Sequence, residues 1–202
     1  MLNLNNFKEK IDPEFPNDNG GVLPLQAIKT DANSNSLKAA LGLSCIKSCD
    51  YIRFKGHSTL TLIECSDLDR QNSQLEDDLN HLIDKGKQQG GEFKKIATKV
   101  QKNHRTAVEK IIFDELKIKY KDSLLLVNKI ADSHHLNFTQ RFNKKEFIIV
   151  TNKLAPKTPD ASVALDQFRR NLTNDLHSGL SCVVDDVRVL TPQKLVKDFK
   201  HH

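Results

Sequence analysis

The chain has 202 residues, 38% of them hydrophobic and 28% charged, with no Trp and a formal net charge of +5. That length suits one domain with a real core, and the composition excludes a disordered acidic tail. The longest apolar run, Leu124-Leu125-Leu126-Val127, is far too short to cross a bilayer, and the start lacks an apolar leader stretch, so a cytoplasmic protein away from membranes is expected.

Residues 1–33 are rich in Asn, Asp, Pro and Gly, with turn signals at Asp12-Pro13, Pro16 and Asn19-Gly20-Gly21. They predict a loose N-terminal arm with a short apolar anchor between Val22 and Ile28. A single domain is expected from 34 to 202. Its first helix starts at a Ser34 or Ser36 cap and runs through Leu37, Ala40, Leu41 and Ile46. A β-hairpin follows, Cys49–Phe54 and then Ser58 onward. The capping box Ser73-Gln74-Leu75-Glu76, with Leu79, Leu82 and Ile83 at helical spacing, predicts a helix that Gly90-Gly91 ends. Residues 92 to about 134 repeat apolar groups from Phe93 to Ala131 and predict one long helix or two stacked ones, broken near Lys121-Asp122-Ser123. The helical insertion thus spans about 72–135. Asn137 to Lys145 reads as a polar connector. Phe147-Ile148-Ile149-Val150 has the pattern of a strand covered on both faces. Past Pro156 and Pro159, Asp160 is expected to cap a helix that stops at Gly179, and a strand around Ser181 to Leu190 leads into a Thr191-Pro192 cap and a last helix. The sum is a mixed α/β fold: a mixed central sheet with an antiparallel hairpin, flanking helices and a long helical insertion.

Cysteine and histidine spacing argues against zinc. Cys45 and Cys49 are four apart, Cys65 and Cys182 are isolated, and His134-His135 and His201-His202 are adjacent pairs that do not converge on one ion. There is likewise no glycine-rich phosphate loop, no Gly-x-Ser-x-Gly elbow and no His-Glu-x-x-His motif.

The hairpin carries the chemistry. Pairing Phe54 with Leu60 and Ile52 with Leu62 puts four apolar side chains on one face, leaves Lys55 to Thr59 as the loop and sets Asp50 across from Glu64. A tighter Gly56-His57 turn would mix apolar and polar side chains on both faces. Opposed strand residues have Cβ atoms roughly 4.5–5.5 Å apart, within chelating reach of one divalent cation. Two acids there repel unless a cation or a proton offsets them. Asp67 and Asp69 are further oxygen ligands in reach, and Gln71 a residue to orient a water. The structural alternative is that Asp50 caps a turn, Glu64 pairs with Arg53 or Lys47, and Ser66-Asp67-Leu68-Asp69 forms a helix N-terminus.

Asp50, thirteen intervening residues, and the apolar strand Leu60-Thr61-Leu62-Ile63-Glu64-Cys65-Ser66 resemble the PD-(D/E)xK nuclease-like superfamily, over about residues 34–70. The resemblance implies a restriction-endonuclease-like core, Asp50 and Glu64 as catalytic residues holding Mg²⁺ or Mn²⁺, with Asp67 beside them, and phosphodiester hydrolysis. The family lysine falls two residues after the glutamate, where this chain has Ser66. A base from elsewhere must then replace it, with Lys94, Lys95, Arg70 and Lys47 as candidates, or the site is not catalytic.

Between Glu92 and Asp122 nine Lys or Arg face five acids, so most of the net positive charge sits on one helical segment. Lys94, Lys95, Lys99, Lys102 and Arg105 are the residues expected to track a nucleic-acid backbone. A solvated helix face is the plainer account of the same run. Two function classes follow: a metal-dependent nuclease or nuclease-like nucleic-acid-processing protein, and an inactive nuclease-like fold whose long helices serve as a protein-docking or homodimer surface.

Overall fold

The computed structural model describes residues 2–15, 21–31, 36–56, 58–133, 142–152 and 159–200. Pro16, Asn19-Gly20, Ser34, His57, His134-His135, the start of the connector at Asn137, Pro156 and His201-His202 lie outside the described residues, as do the side chains of Arg105 and Asp160.

Six strands form one mixed sheet: β1 (Lys8–Lys10), β2 (Gln26–Lys29), β3 (Tyr51–Lys55), β4 (Thr59–Cys65), β5 (Lys144–Val150) and β6 (Asp186–Leu190), in that spatial order. β1 to β4 are an antiparallel meander, and β4, β5 and β6 run parallel. The parallel pairs need crossovers, which the helices supply. Between β4 and β5 run α2 (Leu68–Gln89), α3 (Gly91–Lys102) and α4 (His104–Ser133), and between β5 and β6 runs α5 (Pro159–Leu180). The short α1 (Leu37–Ala40) precedes β3 and α6 (Pro192–Lys200) closes the chain.

The hairpin register follows the apolar pattern. Ile52 pairs with Leu62 and Phe54 with Leu60. Lys55 pairs with Thr59 as well, so the loop shortens to residues 56–58, with Gly56 at φ +57, a left-handed conformation that glycine adopts without strain. Ile52, Leu60, Leu62, Phe147 and Ile149 share one face and pack under α4 and α5, against Ile112, Leu116, Tyr120, Leu172 and Leu176. Tyr51, Ile63, Ile148 and Val150 share the opposite face, packed against Ile11, Leu23, Ala27 and Leu195. β5 is therefore covered on both sides, which is why Phe147–Val150 has no polar alternation.

Several boundaries depart from expectation. The described residues among the first 33 are not a loose arm. They supply β1 and β2, bury Ile11, Leu23, Ala27 and Ile28, and are pinned where the Tyr51 hydroxyl accepts from Asp12 N (3.0 Å) and donates to Asp12 O (3.2 Å). The Ser36 cap forms, but α1 stops at Ala40 because Leu43 N–H turns back to Lys38 O and Gly42 adopts φ +70. α2 begins five residues ahead of Ser73, at Leu68, with Asp67 as its N-cap. Ser73 lies inside it, its hydroxyl donating to Asp69 O (3.0 Å). The break in the long helical stretch falls at Asn103, and α4 runs unbroken through Lys121-Asp122-Ser123, of which Asp122 and Ser123 dock their side chains on another segment. Pro159 opens α5, so Asp160 sits inside its first turn, and the helix passes Gly179 to end at Leu180. There Val183 and Val184 N–H both donate to Leu180 O, a turn that delays β6 to Asp186. Among the described residues no helix is long and apolar enough to cross a membrane.

Candidate functional site

The register that pairs Tyr51 with Ile63 brings Asp50, the residue just ahead of β3, to the level of Glu64 near the end of β4. Asp50 is partly buried, and its Oδ2 accepts from Cys65 N (2.7 Å), which fixes the carboxylate against the β4 backbone. Glu64 is 1% exposed. Its Oε1 accepts from Lys119 Nζ at 2.5 Å, and its Oε2 is buried with no hydrogen-bond partner. Glu64 therefore pairs with Lys119 of α4. Arg53, one of its expected partners, lies over the Phe199 ring at 4.0 Å, and Lys47 is exposed.

Lys119 is held there by its helix. Tyr120, fully buried, packs against Phe147 and donates to Val183 O (2.8 Å). Ser123, also fully buried, donates to Lys119 O (2.7 Å) and accepts from Cys49 N (2.8 Å), while Asp122 Oδ2 accepts from Lys47 N (3.0 Å). The turn that carries the lysine is thereby tied to the segment that carries Asp50. Glu115, one turn earlier, has Oε1 3.8 Å from Lys119 Nζ and its side chain is 42% exposed. The ammonium lies between a buried acid and a surface one.

Electrostatics follow from burial. Glu64 is pushed up to about 8, first by burial and then by the Asp50 charge, with Lys119 opposing. Burial also raises Asp50, against the Cys65 N–H and Lys119. For Lys119 burial works downward, but Glu64 outweighs it and the net direction is up, so the ammonium stays charged. Two acids around one ammonium retain a proton that a cation would displace. Burial drives the Cys49 and Cys65 thiols well up, which disfavours thiolate chemistry.

The residues present fit a hard divalent cation in part. Asp50 and Glu64 give oxygen donors, and Glu64 Oε2 is an unsatisfied acceptor in a buried position. Among the described residues no group of three or more His, Cys, Asp or Glu side chains is placed to hold a metal. Two carboxylates nevertheless suffice for Mg²⁺, which keeps waters and takes substrate phosphates as its other ligands. A cavity of about 240 Å³ lies beside Asp50, lined also by Asp12, Glu14, Lys29, Asp31, Tyr51 and Cys65; Asp50 and not Glu64 borders it. Its acids outnumber its one cation, a balance that favours a cation over an anion.

The remaining candidates lie elsewhere. Asp67 caps α2, its Oδ1 accepting from Arg70 N (3.3 Å). Ser66, at the position of the motif lysine, bonds through its hydroxyl to Gln71 Oε1 (3.1 Å). Asp69 is buried 3.7 Å from Arg169 of α5. Lys94, Lys95, Lys99 and Lys102 are all exposed on α3, Lys95 paired with Glu92 at 2.7 Å. Lys119 was not among the replacements considered for the lysine. It shares an inward face with Leu116, Tyr120 and Ser123, and a lysine on the core side of an amphipathic helix is the signal that finds it. Compared with models of protein families, with curated proteins and with solved structures, the chain matches none.

Proposed function

We propose that the protein is a metal-dependent phosphodiesterase acting on nucleic acid, with a restriction-endonuclease-like core, Asp50 and Glu64 as ligands of Mg²⁺ or Mn²⁺, and Lys119 in the role of the absent motif lysine. The observation that carries this reading is the contact of Lys119 Nζ with Glu64 Oε1, made from a helix outside the hairpin. It returns to the two acids the cation that Ser66 withholds. A bound divalent cation would supply Lewis-acid stabilisation of phosphate charge. Asp50 and Glu64 position it, and Lys119 donates to an oxygen of the substrate or of the attacking water. The exposed lysines of α3 offer a path for the phosphate backbone.

Cleavage of plasmid, single-stranded DNA and RNA in Mg²⁺ and Mn²⁺ tests this. Asp50→Asn, Glu64→Gln and Lys119→Met should each lower cleavage by about a hundredfold or more, in line with loss of one preorganised charged group. Undiminished cleavage in the two acid variants would remove the site.

A second reading is favoured by the helical insertion. Ile111, Ile118 and Leu125 are 50%, 46% and 55% exposed at seven-residue spacing along α4, one stripe on one face. With Lys119 closing Glu64, the chain would then be an inactive nuclease-like fold that docks a protein partner or a second copy through α4. A chain without cleavage activity whose association state depends on Ile118 supports that alternative.

A further inference from the structure

Resting on the metal-site reading, we infer that Glu115 is a positioning residue: it receives the Lys119 ammonium when a divalent cation takes Glu64. The ammonium sits on one oxygen of the acid a cation would take, whose other oxygen, Oε2, is buried without a partner. Lys119 Nζ stands 2.5 Å from Glu64 Oε1, an acid that is 2% exposed in its side chain. Entry of a cation without movement of the lysine would press two positive charges together in a poorly solvated place. Glu115 Oε1 is 3.8 Å from the same nitrogen, outward and half-exposed. A Glu one turn N-terminal to a Lys is the favoured i,i+4 orientation, so the exchange needs only a change of side-chain rotamer. The helix itself stays in place, because Ser123 and Tyr120 hold it on both sides of Lys119. Lys119 thus has two acceptors, a buried one for the empty site and a surface one for the metal-loaded site before substrate arrives, from which the same ammonium can turn to the substrate or water oxygen.

Mn²⁺ binding to the 202-residue chain, followed by calorimetry at fixed pH with no nucleic acid present, tests this through a double-mutant cycle. Glu115→Gln should weaken Mn²⁺ binding about two- to fivefold, the scale of a helix i,i+4 pair with some added burial. Glu115→Asp should recover part of the loss. In a Lys119→Met background, with Lys119→Gln as the second choice if methionine disturbs the fold, Glu115→Gln should change Mn²⁺ affinity not at all. Equal weakening in both backgrounds means that Glu115 acts on the metal directly and overturns the inference while leaving the site intact. No weakening in either overturns it too. If Mn²⁺ binding is absent, or survives Glu64→Gln unchanged, the metal-site reading falls and the inference with it.

Discussion

The β3–β4 hairpin and the α2–α4 insertion build the site together, yet by different physics. In the hairpin each residue's role is decided by its immediate neighbours: side chains alternate, the apolar ones choose a face, and Asp50 and Glu64 are carried to one level as a consequence. In the insertion the decisive residues answer to distant ones: Asp122 and Ser123 to a segment 75 and 74 positions earlier, and Lys119 to Glu64, 55 positions earlier. Local pattern brings the acids near each other, and tertiary docking delivers their cation. The contrast can be broken at Glu64, sharpened at Ser123 and checked at Asp67.

The largest effect is expected from pH. Glu64 is raised from 4.5 to about 8, so between those values the folded chain holds a proton that the unfolded chain has released. That contribution is complete below about 4.5 and is lost as pH rises through 8. The wild type should therefore lose stability from pH 5 to pH 9. Glu64→Gln, which cannot ionise, should be the more stable chain at pH 9, by on the order of 2–3 kcal/mol, and the two should converge near pH 5. Urea midpoints at the two pH values measure it; a wild-type midpoint equally high at both would mean that Lys119 neutralises Glu64 fully.

Next comes Ser123→Ala. It leaves Cys49 N–H buried without an acceptor and should cost about 1–3 kcal/mol. The variant should lose more metal-dependent cleavage than its stability at assay temperature explains, since it frees the Lys119 turn from the Asp50 segment. A drop in stability with unchanged cleavage by the folded fraction would show that hairpin and insertion do not cooperate at the site. The smallest effect belongs to a residue whose influence is purely local. Asp67→Ala removes the α2 cap and should cost about 0.5–2 kcal/mol in thermal denaturation, with Mn²⁺ affinity unchanged if Asp67 only caps. A large loss of Mn²⁺ affinity would return it to the ligand set.

The same division explains what could be read from residues alone. The mixed sheet, the hairpin register, the buried Phe147–Val150 strand and the Gly90 stop were legible because each is written in spacing or in a single special residue. The start of α2 was misplaced because Ser73-Gln74-Leu75-Glu76 competes with Asp67, and burial of Leu68 under the sheet decides for the earlier cap. Lys121-Asp122-Ser123 reads as a break in the sequence, yet the helix continues there, because the Asp122 and Ser123 side chains satisfy the main chain of residues 47 and 49, a use that no local window contains. β1 and β2 are hard to read in a turn-rich stretch because they have only three and four residues, too few for alternation to show, and β1 also stands at the sheet's edge.

The Ser123 tie to Cys49 closes a span of 74 residues. During synthesis the two acids leave the ribosome with their hairpin, well ahead of α4, and wait for a counter-charge that is still being made. At roughly 5–20 residues per second, the 55 positions from Glu64 to Lys119 take seconds to make, far longer than a hairpin takes to form. The lysine therefore arrives as one of the later events of folding, and a chain that has formed its sheet but not docked α4 carries the acids without the ammonium. The pairing of Lys119 with Glu64 is in that sense a report that the chain has finished folding.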